Sequence, residues 1–177
     1  MNTVVGFGGE NFSIAVYIAN RPEFGYYREL ANLQPIARGE IQHIVAHTSN
    51  HWRKIFNVYG KFIEALKTTE HGGSPDWRKY RDEHLLQAHS DEALLFSPPD
   101  FSAAQVLHII AGKTYATQLQ LTTVIWLDGY FAVDPARHLI VCPYLDYRQL
   151  SDQRIERLVE LVREIDDQGV VKSLQKK

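Results

Sequence analysis

The chain has 177 residues, 45% of them hydrophobic and 23% charged, which predicts one globular domain over residues 1–177 and excludes the disordered and collagenous classes. The formal net charge of −2 argues against a protein whose whole surface binds a polyanion, but it is compatible with a local basic patch. One cysteine forbids an intramolecular disulfide, the amino terminus lacks a secretory pattern, and no apolar run approaches the ~20 residues of a membrane span, so we expect a cytoplasmic protein without a membrane partner.

The first predicted core strand covers residues 12–19, with the sequence FSIAVYIA. Pro22 ends its pairing and keeps Arg21 extended, so the chain turns here. The loop presents Asn20, Arg21 and Tyr26 beyond the carboxyl end of the strand. We therefore predict that this loop is part of a binding site.

Helices are predicted from apolar residues at three- and four-residue steps and from capping residues. The predicted segments are residues 26–33, 39–47 and 50–67, a helix that opens at Ser74-Pro75-Asp76 and reaches residue 88, and a last helix from residue 151 that ends at Gly169. Residues 1–10 are interpreted as irregular, and residues 94–96 as a connection. The basic residues of the longest helix are interpreted as a solvated face, with contact to a nucleic-acid backbone as the alternative; they are Arg53, Lys54, Lys61 and Lys67.

Two further apolar runs, residues 106–111 and 138–142, are each followed by a turn and a helix-compatible segment. Near-continuous apolar runs are typical of parallel strands covered on both faces, and parallel strands need crossover helices. The sequence therefore predicts an α/β fold, with a central, mainly parallel sheet of about four strands flanked by helices.

The turn Gly112-Lys113-Thr114 is similar to the end of a phosphate-binding loop, but Leu107 occupies the position of its first glycine. Without that glycine there is no backbone cradle, so this is not a Walker motif. A glycine turn into a helix start can still hold one phosphate or carboxylate, with Lys113 adding charge. The alternative, which we favour, is that Gly112 only permits the turn.

Histidines 43, 47 and 51 are spaced by four residues, which would align three metal ligands on an uninterrupted helix. Thr48-Ser49-Asn50 is typical of a helix junction, which would rotate His51 off that face. We therefore favour surface or interface histidines and predict neither a metal nor a cofactor. Cys142, at the end of a strand, is interpreted as a small buried apolar residue and not as a nucleophile.

Ligands of open parallel sheets bind in the crevice beyond the carboxyl ends of the strands. The three loops that follow the predicted strands, residues 20–27, 112–115 and 143–149, lie at this position. Besides Arg21 and Tyr26, the candidate ligand-binding residues in them are Gly112, Lys113, Thr114, Tyr144, Tyr147 and Arg148. Asn20 and Asp146 are the candidate catalytic residues. Tyrosine faces, cations and polar side chains together suit a nucleotide or a flipped base. Equally open is the alternative that Tyr147 and Arg148 only cap and pack the last helix.

The segments IANRP, SNHWRKIFNVYGKF, VLHIIAGKTYA and HLIVCPYLDYRQL resemble successive blocks of the uracil-DNA glycosylase superfamily. The resemblance implies that Asn20 corresponds to a water-positioning Asp or Asn that precedes proline, here with Arg21 between it and Pro22. The family's late His-Pro-Ser motif falls on Cys142-Pro143-Tyr144, where only the proline matches, which implies weak or no glycosylase activity. The chain also resembles an uncharacterised group of small bacterial proteins, which implies no function.

Three functional hypotheses follow from these patterns. The first is a nucleic-acid- or nucleotide-binding protein with a glycosylase-like fold. The second is an enzyme that acts on a small phosphorylated or nucleobase-containing metabolite, in which Asn20 or Asp146 positions water or a proton. The third is a non-catalytic interaction protein that uses an aromatic-rich surface, since 11% of the residues are aromatic.

Overall fold

A computed structural model describes residues 3–71, 76–102 and 105–166, and in them the chain forms one mixed sheet of eight strands with five α-helices. The strands are β1 (Gly6–Gly8), β2 (Ile14–Tyr17), β3 (Leu33–Gln34), β4 (Glu92–Leu95), β5 (Leu107–Ala111), β6 (Ile125–Trp126), β7 (Ala132–Asp134) and β8 (Leu139–Cys142). The helices are α1 (Glu40–His47), α2 (Asn50–His71), α3 (Trp77–Glu83), α4 (Lys113–Gln118) and α5 (Asp152–Asp166).

The strands are arranged in the order β3-β1-β4-β2-β5-β8-β7-β6. The middle four strands, β4, β2, β5 and β8, are parallel to one another. β1 runs antiparallel to β4, and β3 is parallel to β1. On the other side, β7 is antiparallel to β8 and β6 to β7. The α/β class is confirmed, but the expected sheet of about four mainly parallel strands corresponds only to its centre, because the whole sheet is larger and mixed.

The short outer strands explain this difference. β1, β3, β6 and β7 have only two or three residues each, too few to show a hydrophobic pattern. Residues 1–10 were expected to be irregular, yet they contain β1, whose Gly6 packs directly on the backbone of β4. A Cβ atom on Gly6 would lie 2.2 Å from the carbonyl oxygen of Leu94. Residues 94 and 95, interpreted as a connection, belong to the central strand β4.

The sheet has a buried core on each face. Val16, Ile109 and Ile140 point to the face covered by α2 and α5. Their neighbours Ala15 and Ile110 point to the opposite face, where α4 packs. Neighbouring residues of a strand alternate between the two faces, and here both sets are apolar and covered by helices. The ends of the strands are therefore the accessible part of the parallel centre.

Helix α2 has the predicted apolar stripe, and its Trp52, Ile55, Phe56 and Tyr59 are buried. Three cations of its basic face form ion pairs within the chain: Lys54 with Asp146, Lys61 with Asp152 and Lys67 with Asp91. These pairs support the interpretation of the basic face of α2 as an ordinary solvated surface. Arg53, the fourth cation of this face, is exposed.

Several helix boundaries differ from the predicted ones. Residues 26–33 were expected to form a helix, but only Gly25–Glu29 form a 3₁₀ turn before β3. Helix α3 ends at Glu83, and Leu86 follows with a positive φ of 62°. Asp76 caps α3 by accepting a hydrogen bond from the backbone nitrogen of Lys79 at 3.1 Å. Ser74, Pro75 and Gly169 lie outside the described residues.

Glu92, at the start of β4, is a buried carboxyl group with two hydrogen bonds. Tyr80 Oη donates to Oε1 at 2.8 Å, and the backbone nitrogen of Leu86 donates to Oε2 at 3.1 Å. Burial raises the pKa of Glu92 above its usual 4.5 despite these bonds and nearby Lys67, with Asp91 adding to the rise. The folded state therefore binds this proton more tightly than the unfolded state, so stability falls as pH rises through the pKa of folded Glu92.

Glu92→Gln is expected to remove this loss of stability. The amide oxygen can accept from Leu86 and the amide nitrogen can donate to Tyr80 Oη, so both contacts persist without a buried charge. Thermal unfolding at about pH 4.5 and about pH 8 checks this. The Tm of the variant minus the Tm of the unsubstituted protein should be larger at about pH 8 than at about pH 4.5. A Tm difference that does not change with pH would contradict the proposed titration.

Candidate functional site

The parallel centre of the sheet has a topological switch point between β2 and β5. In chain order these strands are β2, β4, β5 and β8, and their spatial order β4-β2-β5-β8 is therefore 2-1-3-4. From β2 the chain continues to its neighbour β4 on one side, and from β5 it continues to its neighbour β8 on the other side. Open α/β sheets bind ligands at the point between two such strands. The register aligns Tyr17 with Ile110 and Ile110 with Val141. The loops after β2, β5 and β8 therefore leave one edge of the sheet, as predicted.

Three side chains form a closed hydrogen-bonded triangle at this edge. Asn20 Nδ2 donates to His51 Nε2 at 2.9 Å and to Tyr144 Oη at 3.1 Å. Tyr144 Oη donates to His51 Nε2 at 2.9 Å, and the two rings stack with centroids 5.4 Å apart. We call Asn20, His51 and Tyr144 the edge triad. It joins the loop after β2, the first turn of α2 and the loop after β8.

The protonation states of the edge triad follow from its partial burial. Burial lowers the pKa of His51, and Lys54 lowers it further, while Asp146 opposes the shift. Burial also raises the pKa of Tyr144 to about 12, with Asp146 adding to the rise and Asn20 opposing it. At neutral pH the site therefore holds a neutral imidazole, whose Nε2 accepts hydrogen bonds, beside an undissociated phenol.

An open cavity of about 390 Å³ lies beside the edge triad. Its lining residues are mostly polar: Asn20, Arg21, Glu23, Thr48, Ser49, His51 and Trp52. This volume is within the range of small-molecule sites. Gly112 lies next to the Tyr144 ring, since a Cβ atom at Gly112 would be 3.5 Å from that ring.

The loop after β8 has a structured carboxylate and an exposed ring. Asp146 Oδ2 lies 3.6 Å from Lys54 Nζ, and Oδ1 accepts from the backbone nitrogen of Arg148 at 2.9 Å. Through these contacts Asp146 stabilises the conformation of the loop after β8. Tyr147 is exposed, and its ring centroid lies 5.4 Å from Lys54 Nζ and 5.6 Å from Arg148 Cζ. Its cation contacts therefore involve α2 and its own loop.

The glycine turn after β5 offers less to an anion than the sequence suggested. The backbone nitrogen of Gly112 donates to the carbonyl of Cys142 at 2.8 Å, which continues the ladder between β5 and β8. Helix α4 has only six residues. Lys113 and Thr114 are exposed, and Lys113 Nζ lies 4.9 Å from the ring centroid of Trp126. The cation is thus available at the edge, while the amide of Gly112 is already bonded.

Two predicted binding residues have structural partners. Arg21 lines the cavity, but its Nη1 donates to the carbonyls of Leu30 at 3.0 Å and Arg28 at 3.3 Å. Tyr26 Oη donates to Glu40 at 3.2 Å, which ties it to α1. We conclude that Arg21 shapes one wall of the cavity and that Tyr26 belongs to a separate contact.

The predicted junction between α1 and α2 is present, and it separates the three histidines. α1 ends at His47 and α2 begins at Asn50, so His51 faces Tyr144, whereas the rings of His43 and His47 lie 4.5 Å apart. Within residues 3–71, 76–102 and 105–166, no group of three or more His, Cys, Asp or Glu could hold a metal ion.

His51 is the site residue that the sequence reasoning did not assign to this edge. A signal for it exists: a crossover helix that returns the chain to a parallel strand must begin at the carboxyl edge of the sheet. His51 is in the first turn of such a helix, so its position follows from the topology.

The thiol of Cys142 is buried, and burial raises its pKa to about 12. It donates to the carbonyl oxygen of Pro143 at 3.3 Å. A thiol with this pKa is almost fully protonated at neutral pH, which disfavours a nucleophilic role.

Comparison with known proteins gives one family. The profile of DUF6942, a family of unknown function, matches residues 5–163. The chain belongs to this family. The DUF6942 match spans the whole sheet and every residue of the edge triad. No curated protein and no solved structure matches the chain. In the described part of this DUF6942 member, no helix has the length and apolar character needed to cross a membrane.

Proposed function

We propose that the carboxyl edge of the sheet binds a nucleotide, either free or within a nucleic acid. The observation that carries the proposal is the edge triad, whose Asn20 and His51 line the 390 Å³ cavity between the loop after β2 and the start of α2. The carboxyl edge of an open α/β sheet is the usual place for its ligands.

The side chains suit the two halves of a nucleotide. The amide of Asn20 offers donors and acceptors to the polar edge of a base, while the Tyr144 ring stacks on His51 and its hydroxyl holds both partners in place. Lys113 and Arg148 are exposed at the same edge and can pair with phosphate. Asn20 therefore contacts the base, while the cations contribute charge.

A second candidate function is an enzyme acting on a small nucleobase-containing or phosphorylated metabolite. The specific observation that favours it is the neutral His51 on the cavity wall, whose Nε2 could accept a proton from water once the hydrogen bonds from Asn20 and Tyr144 are released. In this scheme His51 takes the role of base, and Asn20 positions the water. Asp146, a candidate base from the sequence, instead holds Lys54 and the loop.

We also propose that the fold is uracil-DNA glycosylase-like, with weak or no glycosylase activity. The parallel strands with polar loops at their carboxyl ends support the first part. Cys142, at the position of the family's histidine, supports the second, because a donor that stabilises a departing base contributes about 2.7 to 4 kcal/mol. We also propose a cytoplasmic location, with which a single free cysteine is compatible.

The proposal is tested by isothermal titration calorimetry with the four ribonucleoside 5′-monophosphates. We expect at least one to bind, and Asn20→Ala and His51→Ala to weaken that binding roughly 10-fold or more, since each leaves polar partners unpaired. His47→Ala is the matched control, because His47 is exposed on α1 and packs on Phe24.

Absence of binding, or equal affinity in the two triad variants and the control, would refute the proposed site. Chromatography of each nucleotide after incubation separates the two candidate functions. A product that forms with the unsubstituted protein and not with His51→Ala would support the enzyme, and intact nucleotide would support binding alone.

A further inference from the structure

The hairpin of β6 and β7 lies at the same edge of the sheet as the edge triad. β7 is antiparallel to β8, with Ala132 opposite Val141, so the chain enters β7 at the level where β8 ends. Trp126 pairs with Ala132, and the backbone nitrogen of Leu127 donates to the carbonyl of Phe131 at 2.9 Å to close the turn. The carboxyl edge therefore continues from β2 through β5 and β8 to this hairpin.

Three exposed aromatic rings lie along this edge, each with a cation beside it. Trp126, Tyr130 and Tyr147 are 39%, 49% and 53% exposed. Their partners are Lys113 Nζ at 4.9 Å, Arg154 Cζ at 3.7 Å and Arg148 Cζ at 5.6 Å from the respective ring centroids. We call these three ring-cation pairs the aromatic row.

We propose that the aromatic row binds single-stranded nucleic acid that continues from the nucleotide at the edge triad. This inference rests on the proposed function for the nature of the ligand. Aromatic faces that alternate with cations are the features with which proteins bind single strands, since bases stack on the rings and phosphates pair with the cations. The row adds a strand-binding surface to a site that otherwise accommodates one nucleotide.

The dimensions of the edge fit a short strand. β2, β5, β8, β7 and β6 are successive neighbours in the sheet, which gives four strand spacings. At about 4.8 Å each, these spacings extend over about 19 Å. With about 3.4 Å per stacked nucleotide, this length accommodates about five nucleotides.

The charges favour a polyanion over a second copy of the chain. Ile125 and Leu127 are also exposed, so the hairpin could in principle pair with itself. A two-fold interface through this surface would bury Lys113, Arg148 and Arg154 against a second copy that carries the same three cations, and charged residues are depleted from interface cores. A phosphate backbone instead neutralises all three cations.

The inference is tested by fluorescence anisotropy with 5′-fluorescein-labelled dT10 and rU10 over a series of KCl concentrations. We expect both probes to bind, because stacking does not depend on the sugar. With three phosphate contacts, the slope of log affinity against log salt should be about −2. Trp126→Ala should weaken binding roughly 5- to 150-fold through the loss of one stacked base.

Trp77→Ala is the matched control. Trp77 also has a cation at its ring, Arg78 Cζ at 4.4 Å from the centroid, but it begins α3, which precedes the amino end of the parallel strand β4. Its replacement should leave oligonucleotide affinity unchanged. Lys113→Gln should make the salt slope shallower by about 0.7, because one phosphate contact is lost.

The outcomes separate this inference from the proposed function. Binding of a mononucleotide, with dT10 no tighter and unaffected by Trp126→Ala, would overturn the aromatic row and leave the cavity site intact. Trp126-dependent dT10 binding that persists in His51→Ala would support the row and count against the edge triad. A dimer that Trp126→Ala dissociates, without oligonucleotide binding, would overturn the inference in favour of a self-interface.

Discussion

Gly6→Ala is expected to lower the free energy of unfolding by about 3 kcal/mol or more. The added Cβ would lie 2.2 Å from the carbonyl oxygen of Leu94 and 2.7 Å from the Cα atom of Leu95. Both atoms belong to the backbone of β4, which is paired on its other side with β2. Neither can move away without disturbing the centre of the sheet, and the positive φ of Gly6 adds strain.

Urea denaturation followed by tryptophan fluorescence measures this loss. Gly25→Ala is the control, because Gly25 also has a positive φ, +55°, while its Cβ would meet no atom within 4 Å. The control should lose only about 1 to 2 kcal/mol, the cost of a left-handed conformation. If both variants lost the same amount, the close approach of β1 to β4 would not be the cause.

Tyr59→Ala is expected to destabilise the protein by about 3 to 5 kcal/mol, the usual cost of removing a large aromatic side chain from a core. Tyr59 is fully buried on α2, and its hydroxyl donates to the carbonyl oxygen of Ala93 in β4 at 2.7 Å. It therefore joins the longest helix to a central strand through both packing and a hydrogen bond.

Tyr59→Phe separates the two contributions. It keeps the ring and removes only the hydrogen bond, so the expected loss is about 1 kcal/mol. Both variants can be compared by the same denaturation experiment, with the slope against denaturant checked for constancy. A phenylalanine variant as unstable as the alanine variant would mean that the hydroxyl, and not the ring, dominates this contact.

The long elements of the fold could be predicted from the sequence because each has a sustained pattern. β2, β5 and β8 are apolar runs, and α2 has apolar residues at helical spacing over several turns. β4 was missed because it begins with the buried Glu92, which leaves only three apolar residues within the strand. The outer strands were missed because their two or three residues are paired by tertiary contacts alone.

The site could be predicted in part for the same reason. Asn20, Gly112 and Tyr144 follow three recognisable parallel strands, so their shared edge follows from chain direction. The partners of Arg21 and Tyr26 could not be predicted, because they depend on side-chain conformations in irregular segments. His51 could have been placed from the direction of its crossover helix, but its hydrogen bonds depend on how deeply that helix packs.

The two borders of the sheet bear on how the protein behaves at high concentration. β3 and β6, the outermost strands, have two residues each. Amyloid growth recruits further chains along extended segments of six or seven residues whose backbone groups are free to pair. The β3 border offers no such segment, whereas the β6 border lies in the uncharged apolar stretch LTTVIWL with Ile125, Trp126 and Leu127 exposed, so we infer that fibril growth would begin at the β6 border.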